Sequence, residues 1–109
     1  MPELDAEDQK LVTLARSARA RTQAAEGAAL RDSDGRTYAA STVDQPSFKL
    51  TALQAAVAAA VSSGAEGIEA AVVVSDEGLL KEESAHAVRD ISETAPIHLA
   101  DSSGKVLDR

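Results

Sequence analysis

Cysteine is absent from the 109 residues, which removes a disulfide framework, a thiolate zinc site and a cysteine nucleophile at once. Tryptophan is absent too, and Tyr38 and Phe48 are the only aromatic rings. Base stacking on a nucleic acid or a free nucleobase therefore has two rings at most to work with. Cations are in the minority, with 11 Lys and Arg against 18 Asp and Glu and a formal charge of −7. A surface of that sign repels phosphate backbones, so no nucleic-acid partner is expected unless a local basic patch exists. No apolar run approaches the roughly 20 residues of a membrane span, and Met1-Pro2-Glu3-Leu4-Asp5 does not open a signal peptide. The expectation is a soluble cytoplasmic protein with no membrane partner, folded as one domain over residues 1–109.

What the chain has in excess is alanine, 23 residues of it. Leu11, Leu14, Ala15 and Ala18 share one face of a helix expected over Asp5 to Arg21, with Asp5 as its cap. Arg16, Arg19 and Arg21 near its end suit the helix dipole and read as a solvated terminus. Asp34-Gly35 between two short apolar runs predicts a hairpin of two antiparallel strands, because glycine accepts the positive φ of the turn. Thr42 to Ser47, with Pro46, reads as a loop.

Leu50, Leu53, Val57 and Val61 then recur at helical spacing up to the breaker Ser62-Ser63-Gly64. The β-branched run Ile68 to Val74 predicts a buried central strand. A third helix is expected from Glu82 to about Glu93. Pro96 to Ala100 reads as a strand, and Lys105-Val106-Leu107 as a short final one. The order predicts a three-layer α/β/α sandwich on a mixed sheet of four or five strands. Strands separated by helices make that sheet mainly parallel in expectation, apart from the first hairpin.

The string Thr42-Val43-Asp44-Gln45-Pro46-Ser47-Phe48-Lys49-Leu50-Thr51 resembles the Asn-Val-Glu-Asn-Ala-Ser-Tyr-Gly-Leu-Thr stretch of cytidine deaminases. Gly27-Ala28-Ala29-Leu30 with Asp34-Gly35-Arg36 is similar to that family's first hairpin. Ile97-His98-Leu99-Ala100-Asp101-Ser102-Ser103-Gly104-Lys105-Val106 is similar to its later strand and turn. The resemblance spans nearly the whole chain and implies the cytidine-deaminase-like form of the sandwich.

The family's chemistry does not follow it. A Cys-Ala-Glu segment opening the second helix, carried over from Leu50-Thr51, falls on Leu53-Gln54-Ala55. A Pro-Cys-x-x-Cys segment at the third helix falls on Glu83 to Ala87. The family's three ligand positions thus read Leu53, Ser84 and Ala87, and the position of its proton-shuttling glutamate reads Ala55. Zinc-dependent deamination needs roughly three protein ligands, an open position for water and a carboxylate to move protons. No metal, cofactor or catalytic residue is therefore expected.

The base pocket reads Ala24 and Glu26 where the family has Phe and Val. Thr42 and Asp44 stand where its ribose-binding Asn and Glu do, and read either as a retained substrate-binding ledge or as braces for the loop. The resemblance also implies a homo-oligomer, dimer or tetramer, to which the alanines from Ala52 to Ala60 are suited, though they fit a compositional habit as well. A further protein partner is compatible with the same surfaces.

Other candidates are weaker in pattern. His86 and Asp90 stand four residues apart on one helical face, as do Glu82 and His86, but either pair is two ligands without a third and does not make a metal site. Thr51 and Ser84 are hydroxyls near His86 with no legible relay, and a serine such as Ser84 near a helix start suits an N-cap. His98 is expected to point to the outer side of the sheet or to make one hydrogen bond. The leading expectation is a non-catalytic assembly or binding module. A nucleoside- or nucleotide-binding sensor is the alternative, and a cytidine deaminase the second.

Overall fold

A computed structural model of the chain describes residues 4–107. The Asp5 carboxylate accepts the backbone N–H of Asp8 at 2.8 Å, and from that cap helix α1 runs Ala6–Thr22. Gln23, at φ 54, ends it in the left-handed region. Leu11, Val12, Ala15 and Ala18 are its buried stripe.

Strands β1 (Glu26–Asp32) and β2 (Thr37–Ser41) form the expected hairpin. Asp32 builds its turn by accepting the N–H groups of Asp34 and Arg36, both at 2.9 Å, while Gly35 takes φ +87. The expected loop Thr42 to Ser47 instead holds strand β3 (Val43–Asp44), antiparallel to β4 (Lys49–Leu50) just beyond it, so Leu50 belongs to this ribbon and not to the helix whose spacing it fits. The ribbon's closing bond, from the Gln45 N–H to the Phe48 carbonyl at 3.0 Å, brackets Pro46. A two-residue strand is too short to leave an alternation in the sequence.

Helix α2 (Ala52–Ser62) opens on a capping box. Thr51 Oγ1 accepts the Gln54 N–H, and Gln54 Oε1 accepts the Thr51 N–H. Strand β5 (Ile68–Ser75), helix α3 (Glu82–Arg89) and strand β6 (Ile97–Ala100) follow. Helix α3 stops four residues short of expectation. The Arg89 guanidinium donates to the Ser92 and Ala95 carbonyls, and Ser92 Oγ accepts the Ala95 N–H, so the chain folds back under the helix end. The expected last strand is a single bridge between Ala100 and Val106.

The main sheet has the order β2-β1-β5-β6. Of its three pairings only β5 with β6 is parallel, which corrects the expected mainly parallel sheet. The reason lies in the crossover: α2 returns the chain in the direction of β2, but β5 settles beyond β1 and so runs against it. The alternation of β1 and β5 separates two cores. Ala28, Leu30, Ala71 and Val73 face α2 and α3, and Ala29, Ala70, Val72 and Val74 face α1. Each fully buried Val or Leu in these layers contributes about 1.5–3 kcal/mol. Where α1 crosses β1 there is room only for glycine: a Cβ on Gly27 would lie 2.1 Å from the Ala15 carbonyl oxygen.

Candidate functional site

The first turns of α2 and α3 meet below the β3–β4 ribbon. There the Ser84 hydroxyl donates to Thr51 Oγ1 at 2.6 Å, and both side chains are buried. Thr51 is the N-cap of α2, whereas the sequence suggests a capping role for Ser84 instead. Ser84 is not a cap, for Lys81 holds that position on α3 without a side-chain cap bond. Leu53 lies wholly in the apolar core with Val57 and Val88. Ala55 is partly exposed on α2, and Ala87 packs at the core margin.

Glu26 enters this junction from β1. Its side chain is 2 % exposed, and its Oε1 accepts the Ala52 N–H, the first of α2, at 3.3 Å. Its Oε2 lies 3.9 Å from Lys81 Nζ. A carboxylate at a helix N-terminus is favourable and an ammonium there is not, so each residue makes the other tolerable: Glu26 gains a counter-charge and Lys81 an anion. The pair carried a signal in the sequence that pattern reading passed over. Glu26 opens an apolar strand, and Lys81 is a cation at a helix start otherwise marked by Glu82 and Glu83.

Above the junction lies an open cavity of about 260 Å³ whose wall includes Thr42, Asp44, Lys49, Thr51 and Lys81. The two ledge residues are thus brought to one rim, but both are engaged. Thr42 Oγ1 accepts the Glu26 N–H at 3.0 Å and donates to the Glu26 carbonyl at 3.3 Å. Asp44 lies 3.5 Å from Lys49 Nζ in an exposed pair across the ribbon, which contributes little to stability. Ala24 lines a second hollow on the far side of Thr42 and Asp44.

The remaining candidates are dispersed. Glu82, His86 and Asp90 are exposed along α3, and the described residues hold no group of three or more His, Cys, Asp or Glu able to bind a metal ion. His98 does not point to the outer side. It faces α1, with Nε2 3.4 Å from Asp8 Oδ2, because β6 presents alternate residues to that helix. Arg31 reaches the same Asp8 at 3.0 Å and Glu69 at 2.9 Å. Its guanidinium is held above its ordinary range, chiefly by the hydrogen bond to Glu69.

A sequence profile described as cytidine deaminase-like matches residues 4–104. The chain belongs to the cytidine deaminase-like family. No functionally curated protein matches it, and solved structures carry the rest of the comparison. Cytidine deaminase from Burkholderia pseudomallei is 21% identical with a TM-score of 0.79, over 90% of this chain and 87% of that one. The Mycobacterium tuberculosis enzyme is 23% identical with a TM-score of 0.70, over 89% and 85%. The Mycobacterium leprae enzyme is 18% identical with a TM-score of 0.71, over 94% and 93%. At such identities the likeness establishes the cytidine-deaminase-like fold, the mixed four-stranded sheet with its three helices. Among the described residues no helix is long and apolar enough to cross a membrane.

The family implies a zinc ion between the starts of its second and third helices. Here that junction offers two mutually bonded neutral hydroxyls, one carboxylate already held by a helix N–H, and an ammonium 3.9 Å from that carboxylate. Zinc binds thiolates, imidazoles and free carboxylates, and a neighbouring ammonium opposes a second cation. The residues do not fit the metal.

Proposed function

We propose that this chain is a non-catalytic member of the family, acting as an assembly or binding module through its outer surfaces. The observation that supports the reading is the Ser84–Thr51 hydrogen bond: at the α2–α3 junction, where the resemblance puts the family's zinc, two neutral hydroxyls engage each other. By the resemblance the ligand positions read Leu53, Ser84 and Ala87 and the glutamate position Ala55, so there is no thiolate to bind zinc and no carboxylate to move protons between water and a base.

Thr42 and Asp44 support bracing over ribose binding, since the Thr42 hydroxyl clamps the Glu26 backbone on both sides. Oligomerisation, a protein partner and a cytoplasmic location belong to the same proposal.

The test has two arms on the full chain. Purified protein is expected to hold far less than one zinc per chain and to leave cytidine absorbance unchanged. The tagged chain, recovered from its native host at modest salt, is expected to return with a stoichiometric partner or as a defined oligomer. One zinc per chain with cytidine turnover overturns the reading.

A further inference from the structure

The carboxyl ends of β5 and β6 share a sheet edge with the α2–α3 junction, since Ser75 pairs with Glu26, but the other face of that edge, where Val74 packs toward α1, holds a separate hollow. These strands are the parallel pair of the sheet, and in open α/β sheets ligands settle outside the carboxyl ends of such strands. A cavity of about 280 Å³ sits there, walled by Thr13, Arg16, Ser17 and Arg19 of α1, by Val74 of β5, and by Ser102 just past β6. That volume suits a small polar ligand rather than a drug-sized one.

The two arginines are held by their Nε atoms. Arg16 Nε donates to the Ser102 carbonyl at 3.2 Å, and its guanidinium lies against Gly104, where an added Cβ would come within 3.2 Å of Nη1. Arg19 Nε donates to the Ala25 carbonyl at 3.3 Å. With each Nε fixed on backbone, the planar forks are oriented before any ligand arrives, which lowers the ordering needed on binding. Among the described residues Arg16 makes no ion pair, and its Nη edge remains available.

One carboxylate faces the site. Asp76 Oδ2 accepts from Arg19 Nη2 at 3.2 Å, and its Oδ1 accepts the Ser102 N–H at 3.3 Å. Asp76 therefore neutralises one arginine and leaves the other in excess. Asp101, the next acidic residue, is folded into its own turn, accepting from the Ser103 N–H and hydroxyl and from the Lys105 N–H.

We infer that this cavity binds a compact phosphate-class oxyanion, gripped by Arg16 with support from the Ser17 hydroxyl and Arg19. Guanidinium forks match phosphate oxygens two at a time, and hydrogen bonds between charged partners are the strong ones. The net negative charge of the chain opposes long-range attraction, so the affinity comes from these short contacts and falls in the millimolar range. The inference is independent of the fate of the zinc position.

The experiment is a titration of the uniformly ¹⁵N-labelled full chain with inorganic phosphate against sodium chloride at matched ionic strength. It follows the Nε–Hε signals of Arg16 and Arg19 and the amide of Gly104. Saturable shifts with phosphate alone are expected. Arg16→Gln should weaken binding by about ten-fold or more, the loss of one charge-assisted contact. Asp76→Asn, which frees Arg19, should tighten it; a purely structural set of arginines would not produce that gain. Glycerol 3-phosphate separates the two sources of the anion. Equal affinity assigns the site to free phosphate, and tighter binding to a small phosphomonoester. Phosphate shifts no different from those with chloride, an Arg16→Gln variant that titrates like the parent, or weaker binding by Asp76→Asn overturns the inference.

Discussion

Ser84 donates its hydroxyl to Thr51 across 2.6 Å, and through that bond the first turn of α3 is tied to the cap of α2. Both hydroxyls are buried, and that of Ser84 depends on Thr51 for its side-chain partner. Thr51 is doubly engaged, since its Oγ1 also receives the Gln54 N–H.

Ser84→Ala is therefore expected to lower stability by about 0.5–1.5 kcal/mol, the net worth of one hydrogen bond, since Thr51 keeps the Gln54 N–H. Thr51→Val should lose at least as much, because the cap, worth about 1 kcal/mol, goes with it. The double variant should lose less than the sum, with a coupling of about 0.5–3 kcal/mol. Urea unfolding of the four proteins measures this directly, and strict additivity would mean the bond has no net role.

Lys81→Met takes the counter-charge from a carboxylate whose side chain is 2 % exposed. Because Lys81 is itself about one-third exposed and the separation is 3.9 Å, the expected loss is modest, about 1 kcal/mol. Adding Glu26→Val should recover part of it by removing the stranded carboxylate. Thermal melts of the single and double variants decide the sign.

Gly27→Ala should be the most damaging small substitution. The new methyl would lie 2.1 Å from the Ala15 carbonyl oxygen and 2.8 Å from Arg19 Cβ, so α1 must move off the sheet. Overpacking costs about 1–3 kcal/mol where side chains can yield; here backbone is in the way, and expression of the folded protein is the readout.

Asp32 sets an acid limb. Burial opposes its charge, but the Arg36 N–H, the Tyr38 hydroxyl and the Asp34 N–H outweigh burial and hold its carboxyl below the ordinary range. A carboxyl whose folded value is depressed contributes stability that is present above its unfolded value, about 3.9, and is lost as pH falls through the folded value. Denaturation between pH 7 and pH 3 should show stability falling at the acid end, and Asp32→Asn should flatten that fall. An unchanged slope would remove Asp32 as its cause.

Much of the architecture was legible in the chain because it is local. Asp5 caps α1, Asp34-Gly35 turns the hairpin, Leu53 and Val57 mark the buried face of α2, and the β-branched run of β5 is buried; each depends on neighbours within a few residues. The resemblance carried by Thr42 to Thr51 and by Ile97 to Val106 led to the right family. The missing cysteines alone set the chemistry that a zinc site here would lack.

What the tertiary structure decided depends on contacts far apart in sequence. That β5 lies beyond β1, and so against it, follows from how a crossover packs. Pattern within a strand cannot show it. The partners of Glu26 come from α2 and from Lys81, and those of His98 and Arg31 meet at Asp8 on α1. A charge's meaning is set by what surrounds it, and those surroundings exist only once the layers close. Arg16 and Arg19 make the same point: along the chain they are the cations of a helix end, and beside Ser102 and Val74 they become the wall of a cavity.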